Sequence, residues 1–225
     1  MNAAIVNGIE LEDVRDVTNP DRVLDMVILA SEDGKFEPET FEYIDTVKPK
    51  TFVDVGSYNG IYSIYCAKNF GSSCLAFEPN FRNWNLTLNN VIHNRVFNNI
   101  QVQGCALSNR NNKRQFFTNP STQFTSAGSL VSDKKKPQIE EVDASTFDSV
   151  YYPNKPIDLI KIDVEGHEFE VLQGMVLTLS KHHPKLIIEC NDSEHLDLVV
   201  SFLKEFKYDI LKCTDKRNYI FEVNV

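Results

Sequence analysis

From residue 51 onward, short apolar runs alternate with stretches whose apolar positions recur every three to four residues. Thr51–Val55 is the first run, and residues 61–69 follow with helical spacing. Cys74–Phe77 is a second run, closed by Glu78-Pro79. Trp84, Leu88, Val91 and Ile92 then fall at i, i+4, i+7 and i+8, which predicts a helix buried on that face. Ile100–Ala106 reads as a third strand. After a polar interval, Ile157–Asp163 reads as a fourth, followed by a helix with Phe169, Leu172, Val176 and Leu179 on one side. Pro184 opens a fifth strand, Lys185–Cys190, at a position where its missing donor costs no ladder bond. A further amphipathic helix carries Leu196, Val199, Val200, Leu203 and Phe206. Tyr208–Cys213 and Asn218–Val223 are the last strands, joined through Asp215-Lys216-Arg217.

Strands alternating with helices imply βαβ units and a mainly parallel sheet with helices on both faces. The last two strands have no helix between them, so they must pair as a hairpin. The expected fold is α/β and Rossmann-like, with a seven-stranded, mainly parallel sheet whose last strand is antiparallel. Residues 1–50, with short strand-like pieces and a helix at Pro38–Val47, read as an N-terminal cap segment. Residues 51–225 read as a single ligand-binding domain, with 108–145 as an irregular hairpin excursion.

Composition narrows the picture without redirecting it. The chain has 225 residues, 42% hydrophobic and 24% charged, which suits one globular α/β domain. No apolar run approaches the ~18–20 residues of a membrane span, and Met1–Ile5 lacks the basic and apolar regions of a signal peptide. A cytoplasmic protein with no membrane insertion is the expectation. The formal charge of −9 argues against a nucleic-acid partner, which calls for a basic face. Lys134-Lys135-Lys136 reads as a solvated loop. Cys66, Cys74, Cys105, Cys190 and Cys213 are odd in number and widely spaced, so they read as small buried thiols, neither disulfides nor a zinc site.

Ligands of open parallel sheets bind beyond the carboxyl ends of the strands. Acids stand at four of those ends: Asp54, Glu78, Asp163 and Glu189. The first end continues as Asp54-Val55-Gly56-Ser57-Tyr58-Asn59-Gly60. In it Gly56 permits a sharp turn, and Gly60 permits close helix packing with amides open to a ligand. Tyr58 stands where a dinucleotide fingerprint has its second glycine, which disfavours a nicotinamide cofactor. Glu78, at the next strand end, is placed to accept hydrogen bonds from ribose hydroxyls. Pro79 then turns the chain beneath an adenine, and Ala106 lines the adenine pocket or simply fills the core. In Lys161-Ile162-Asp163-Val164-Glu165-Gly166-His167-Glu168, a buried strand hands five ionisable residues to a helix. Lys161 and Asp163 share one side of the strand and can pair. The competing reading is plain capping of the next helix by Asp163 and Glu165.

On these residues the sequence resembles the FkbM-type methyltransferase family. The likeness rests on Phe52-Val53-Asp54-Val55-Gly56, Ala76-Phe77-Glu78-Pro79-Asn80, the block Ile157 to Glu168, and Pro184 to Glu189. It implies a class I methyltransferase fold, S-adenosyl-L-methionine as methyl donor, and methylation of hydroxyl groups on sugars, glycans or related small metabolites. It places Asp54, Gly56, Gly60 and Glu78 around the cofactor, and the turn and the strand ends themselves add Ser57, Tyr58, Pro79 and Ala106. Asp163 and Glu165 then lie near the transferred methyl. Tyr58 departs from the asparagine frequent in the family. An alcohol needs a base within reach as it attacks. Asp163 is the first candidate, Glu189 the second and His167 the third, with Lys161 partnering Asp163. No metal is assigned, although Asp163, Glu165 and Glu189 could be weighed as a magnesium site. The rivals are an RNA ribose 2′-O-methyltransferase and a non-catalytic adenosine-binding subunit. The first expects a lysine where Glu189 stands, and the second has no need of Asp163 and Glu189.

Overall fold

The computed structural model describes residues 3–12, 34–118, 128–131, 138–151 and 156–224. The lysine run at 134–136 lies outside these residues, as do parts of the cap (13–33) and of the excursion (119–127 and 132–137).

A seven-stranded sheet forms the centre. Its strands, in spatial order, are β11 (Tyr208–Thr214), β12 (Asn218–Val223), β10 (Lys185–Glu189), β9 (Leu159–Ile162), β3 (Thr51–Val55), β4 (Ser73–Phe77) and β5 (Ile100–Gln103). β12 runs antiparallel to both its neighbours, while β10, β9, β3, β4 and β5 pair in parallel. This is the expected Rossmann-like sheet, including the antiparallel last strand. The inner strands are buried on both faces, so β9 reads Leu-Ile-Lys-Ile with every residue buried.

Alternation divides the core in two. Phe52, Leu159, Ile187 and Ile220 pack on one face with Ile64 and Cys66 of α2 (Ile61–Phe70). Val53, Ile160, Leu186 and Ile188 pack on the other. There they meet α5 (Glu168–Gln173), α6 (Val176–His182) and α7 (Ser193–Lys204) through Leu172, Leu179 and Val199. The hairpin of β1 (Ala3–Val6) and β2 (Ile9–Glu12) adds Val6, Ile9 and Leu11 to the first core. Full burial of each such side chain is worth roughly 1.5–3 kcal/mol. α1 (Pro38–Val47) joins the same core through Phe41 and Ile44.

Four expectations are corrected. First, α3 (Phe81–His93) buries Asn83, Leu86, Thr87, Asn90 and Val91, while Ile92 is 63% exposed. Its inward face is largely polar because it meets loop backbone as well as core. Second, the third strand ends at Gln103, and Ala106 belongs to a separate strand, β6 (Ala106–Leu107). β6 pairs in parallel with β8 (Gln138–Ser145), whose other neighbour is β7 (Asn112–Thr118). That β7–β8 hairpin keeps register throughout, so the excursion is regular where described. Third, the helix after the fourth strand is broken at Gly174-Met175, leaving Val176 exposed. A β-carbon on Gly174 would come within 2.1 Å of the Ser108 carbonyl oxygen. The carboxylate of Asp148, in α4 (Phe147–Val150), then accepts the amides of Leu177 and Thr178 and restarts the helix. Fourth, the thiols are not uniformly buried: Cys66, Cys74 and Cys190 are, Cys105 is partly buried, and Cys213 on edge strand β11 is exposed.

Candidate functional site

A cleft opens at the carboxyl ends of β3, β4, β9 and β10, as expected for a parallel sheet. The turn after β3 forms its floor. The amides of Gly56 and Ser57 both donate to the Phe77 carbonyl at 3.0 Å, binding the turn to the end of β4. Gly56 has φ +83°, and a β-carbon there would lie 1.8 Å from the Asp163 carbonyl oxygen. Only glycine fits. Tyr58 adopts φ 51°, a left-handed conformation that disfavours a β-carbon. Two hydrogen bonds hold it there. Its amide donates to Glu78 Oε2 at 2.9 Å, and its carbonyl accepts from Thr87 Oγ1 at 2.7 Å.

Glu78 is buried, and its other oxygen accepts the Asn80 amide at 2.9 Å. Burial pushes its carboxyl up to about 7, against the opposing pull of the Asn80 and Tyr58 amides. Ser57, Tyr58, Glu78, Pro79 and Ala106 all line the cleft. The Ser57 hydroxyl is buried there without a hydrogen-bond partner among the described residues. Asp54 and Gly60 do not line it. Asp54 accepts the Ser63 hydroxyl at 2.7 Å inside the core, and burial raises its carboxyl. The Gly60 amide is taken by the Ser57 carbonyl at 2.7 Å, so it is not open to a ligand. Its missing side chain instead admits Thr87, 2.8 Å from where a β-carbon would be.

The opposite wall is ionic. Lys161 lies beside Asp54 in the β3–β9 register and beside Ile187 in the β9–β10 register, on the face covered by α2. Its ammonium is 2.8 Å from Asp163 Oδ2 and 4.7 Å from the centre of the Tyr62 ring. Burial alone would favour loss of its proton, but Asp163, Glu37 and Glu189 outweigh this and hold it charged. Glu189 is hydrogen-bonded to Asp163. Two carboxylates this close cannot both ionise cheaply. Burial and the Asp163 charge push Glu189 up to about 9, so it keeps the proton. Burial would raise Asp163 too, but Lys161 and the hydrogen bonds from Glu189 and Lys161 hold it below the usual range. The Asp163 side chain is 28% exposed, against 2% for Lys161 and 4% for Glu189. Of these three side chains Asp163 is therefore the most exposed.

Glu165 and His167 also line the cleft. The Glu165 carbonyl accepts the Ser129 hydroxyl at 2.8 Å, which ties the excursion to this turn. His167 is buried, with Nε2 3.0 Å from the Ser108 hydroxyl and Nδ1 3.4 Å from Glu170. Burial lowers its pKa. It occupies the N-cap of α5 but makes no side-chain cap bond.

Several participants escaped the sequence reading. Thr87 holds Tyr58, and Asn90 donates to the Asn59 carbonyl at 2.8 Å, so the polar face of α3 clamps the glycine turn. An unusually polar inward face was the available signal. Glu37, at the start of α1, accepts the Tyr62 hydroxyl and faces Arg217 at 3.7 Å. Arg217, in the terminal hairpin, also pairs with Glu189 at 3.1 Å. Nothing local marked Glu37 or Arg217, because they are brought in from opposite ends of the chain. Among the described residues, no three His, Cys, Asp or Glu side chains are grouped to hold a metal ion. No helix among them is long and apolar enough to cross a membrane.

Comparison with known proteins agrees with this fold. The family model described as the methyltransferase FkbM domain matches residues 54–210. Methyltransferase sdnD of Sordaria araneosa is 27% identical over 188 residues, covering 68% of this chain and 64% of that protein. The crystal structure of methyltransferase FkbM from Methylobacillus flagellatus KT superposes with a TM-score of 0.57 at 19% identity, covering 77% of this chain and 43% of that one. The ribosomal protein L11 methylase of Lactobacillus delbrueckii subsp. bulgaricus gives 0.52 at 16% identity, covering 83% and 79%. The two structural likenesses concern the fold. The chain spans less than two thirds of the length of sdnD and of the Methylobacillus protein.

Proposed function

Because the chain belongs to the methyltransferase FkbM family, we propose that it is an S-adenosyl-L-methionine-dependent O-methyltransferase acting on a hydroxyl of a sugar, glycan or related small metabolite. The observation that carries this is the ionised, partly open Asp163 beside Lys161 and a protonated Glu189, facing the cleft that Glu78 closes at its other end.

The residues fit the cofactor. Glu78 accepts the amides of Tyr58 and Asn80 and a hydrogen bond from the Asn83 side chain, which leaves one of its roughly four lone-pair sites for a ribose hydroxyl. The unpartnered Ser57 hydroxyl, buried in the same wall, is a polar group in want of a ligand. Pro79 and Ala106 offer an apolar edge for an adenine. When bound, S-adenosylmethionine supplies an electrophilic methyl group on a sulfonium. The protein's share is alignment, exclusion of water and handling of one proton.

Asp163 receives that proton. A carboxylate held below the usual range does not strip an alcohol in advance. It accepts the proton as the oxygen gains its new bond and becomes acidic. Lys161 keeps Asp163 ionised until then. Glu189, being neutral, orients Asp163 as a donor and adds no second negative charge. His167, tied to Ser108 and Glu170, positions its turn rather than acting as the base. Arg217 and Glu37 complete the wall. Its cations are matched by carboxylates, which favours uncharged hydroxyls over phosphates. This weighs against an RNA acceptor, as does Glu189 in the place of a lysine.

Calorimetry with S-adenosylhomocysteine and with NAD tests the cofactor, with binding expected only for the former. A labelled donor offered with a panel of glycans and small glycosides tests the acceptor. Asp163→Ala is expected to abolish turnover while leaving S-adenosylhomocysteine affinity within a few-fold. An Asp163→Ala enzyme with full activity would remove Asp163 from the mechanism.

A further inference from the structure

Glu168 has no part in the chemistry above, yet it is 1% exposed, ionisable and adjacent to the acceptor turn. It does not serve its own helix. Its Oε1 reaches back to accept the amides of Val164 at 3.0 Å and Gly166 at 3.1 Å. Its Oε2 lies 2.7 Å from Nε2 of His195, which is carried by α7 from across the second core.

The turn so held is one that needs holding. Glu165 has φ 57° and Gly166 φ 97°, two successive left-handed residues. A non-glycine residue in that region costs roughly 1–3 kcal/mol and persists only where surrounding contacts over-determine it. The turn also carries the working parts of the site. The Asp163 carbonyl abuts Gly56, Val164 and Glu165 line the cleft, and the Ser129 hydroxyl leans on the Glu165 carbonyl.

We propose that Glu168 and His195 are a positioning pair: the ion pair of the buried Glu168 with His195 fixes the Asp163–Gly166 turn, and through it the placement of Asp163 against the cofactor turn. A lone buried carboxylate would be costly by several kcal/mol, and His195 supplies the counter-charge. The groups facing His195 are Glu168, Glu170 and Asp192, which favour its charged form, and His167, whose own charged form it opposes. The contact with Glu168 raises the His195 pKa above its ordinary value, against the effect of burial. By linkage, the clamp is complete below the ordinary histidine pKa of about 6.5 and weakens as pH rises through the raised value.

The role assigned to the turn rests on the methyl-transfer reading, but the clamp can be tested apart from it. In the full-length protein, NMR is expected to show His195 titrating above 6.5 or so, falling in Glu168→Gln. Amide exchange at Val164 and Gly166 should accelerate at least about tenfold in Glu168→Gln, and also in His195→Gln, a milder change at a partly exposed site. Affinity for S-adenosylhomocysteine should fall with rising pH across the His195 titration, and His195→Gln should remove that component. His195 titrating at or below its ordinary value, or unchanged Val164 and Gly166 exchange in His195→Gln, would overturn the clamp. Expected exchange and titration in a protein that binds no S-adenosylhomocysteine would leave the clamp standing and sink the methyltransferase reading instead.

Discussion

A β-carbon on Gly56 would lie 1.8 Å from the carbonyl oxygen of Asp163, so the turn after β3 and the turn after β9 meet backbone to backbone. The two halves of the site are thus one rigid contact. Whatever moves the glycine turn moves Asp163. Gly56→Ala adds this clash to a backbone held at φ +83°. It is expected to cost several kcal/mol and to weaken S-adenosylhomocysteine binding by at least 100-fold. Calorimetry with a melting curve on the same sample checks this, and unchanged affinity would show that the contact yields.

Glu78 predicts a pH dependence of cofactor affinity. With its carboxyl pushed up to about 7, it is half protonated near neutrality, and the protonated form has lost acceptor capacity. In His195→Gln, which removes the opposing histidine component, affinity for S-adenosylhomocysteine should therefore rise as pH increases through that value and level off above it. Glu78→Gln should bind more weakly at high pH and lose this dependence. An affinity flat from pH 5.5 to 8.5 in His195→Gln would contradict the assignment.

Glu189 predicts a limb at the alkaline end. Its folded pKa, raised to about 9, means that stability declines as pH climbs from the unfolded carboxyl value through 9, because only the folded state retains the proton. Above about 9 a second negative charge faces Asp163 and turnover should fall. Glu189→Gln imitates the neutral acid. It is expected to keep activity within roughly tenfold at pH 7 and to lose the Glu189 part of the alkaline decline, whereas Glu189→Ala should lose far more. Kinetic pH profiles of the three proteins decide it.

Thr87 tests the polar face of α3. Thr87→Val removes the hydrogen bond that steadies the Tyr58 carbonyl and preserves the packing against Gly60. A loss of about 1 kcal/mol, or about fivefold in S-adenosylhomocysteine affinity, is expected with little change in the far-ultraviolet spectrum.

The order of strands was legible in the chain because each inner strand is buried on both faces and must be apolar along its whole length. Lys161 within Leu-Ile-Lys-Ile was a visible exception, and the exception marked the site. The inward face of α3 was misread for the complementary reason. Hydrophobic spacing finds the face that meets a core, whereas Thr87 and Asn90 meet backbone carbonyls of the glycine turn and Asn83 bonds the Glu78 carboxylate, and such groups demand polar partners. The broken helix at Gly174 was hidden because its cause, the Ser108 carbonyl, belongs to a distant segment.

By itself the sequence determined the parallel sheet, its antiparallel last strand, the glycine turn, Glu78, and the Lys161–Asp163 pair two residues apart on one strand. These are local facts of period, turn and side. Only the tertiary structure decided that Asp54 bonds Ser63 inside the core, that the Gly60 amide is taken by Ser57, and that Glu189 is hydrogen-bonded to Asp163. It alone brought Glu37 and Arg217 together on Glu189's side of the cleft and set His195 against Glu168. Each of these depends on how near a second charge or carbonyl lies in a medium of low dielectric, and that distance is set only when the chain closes on itself.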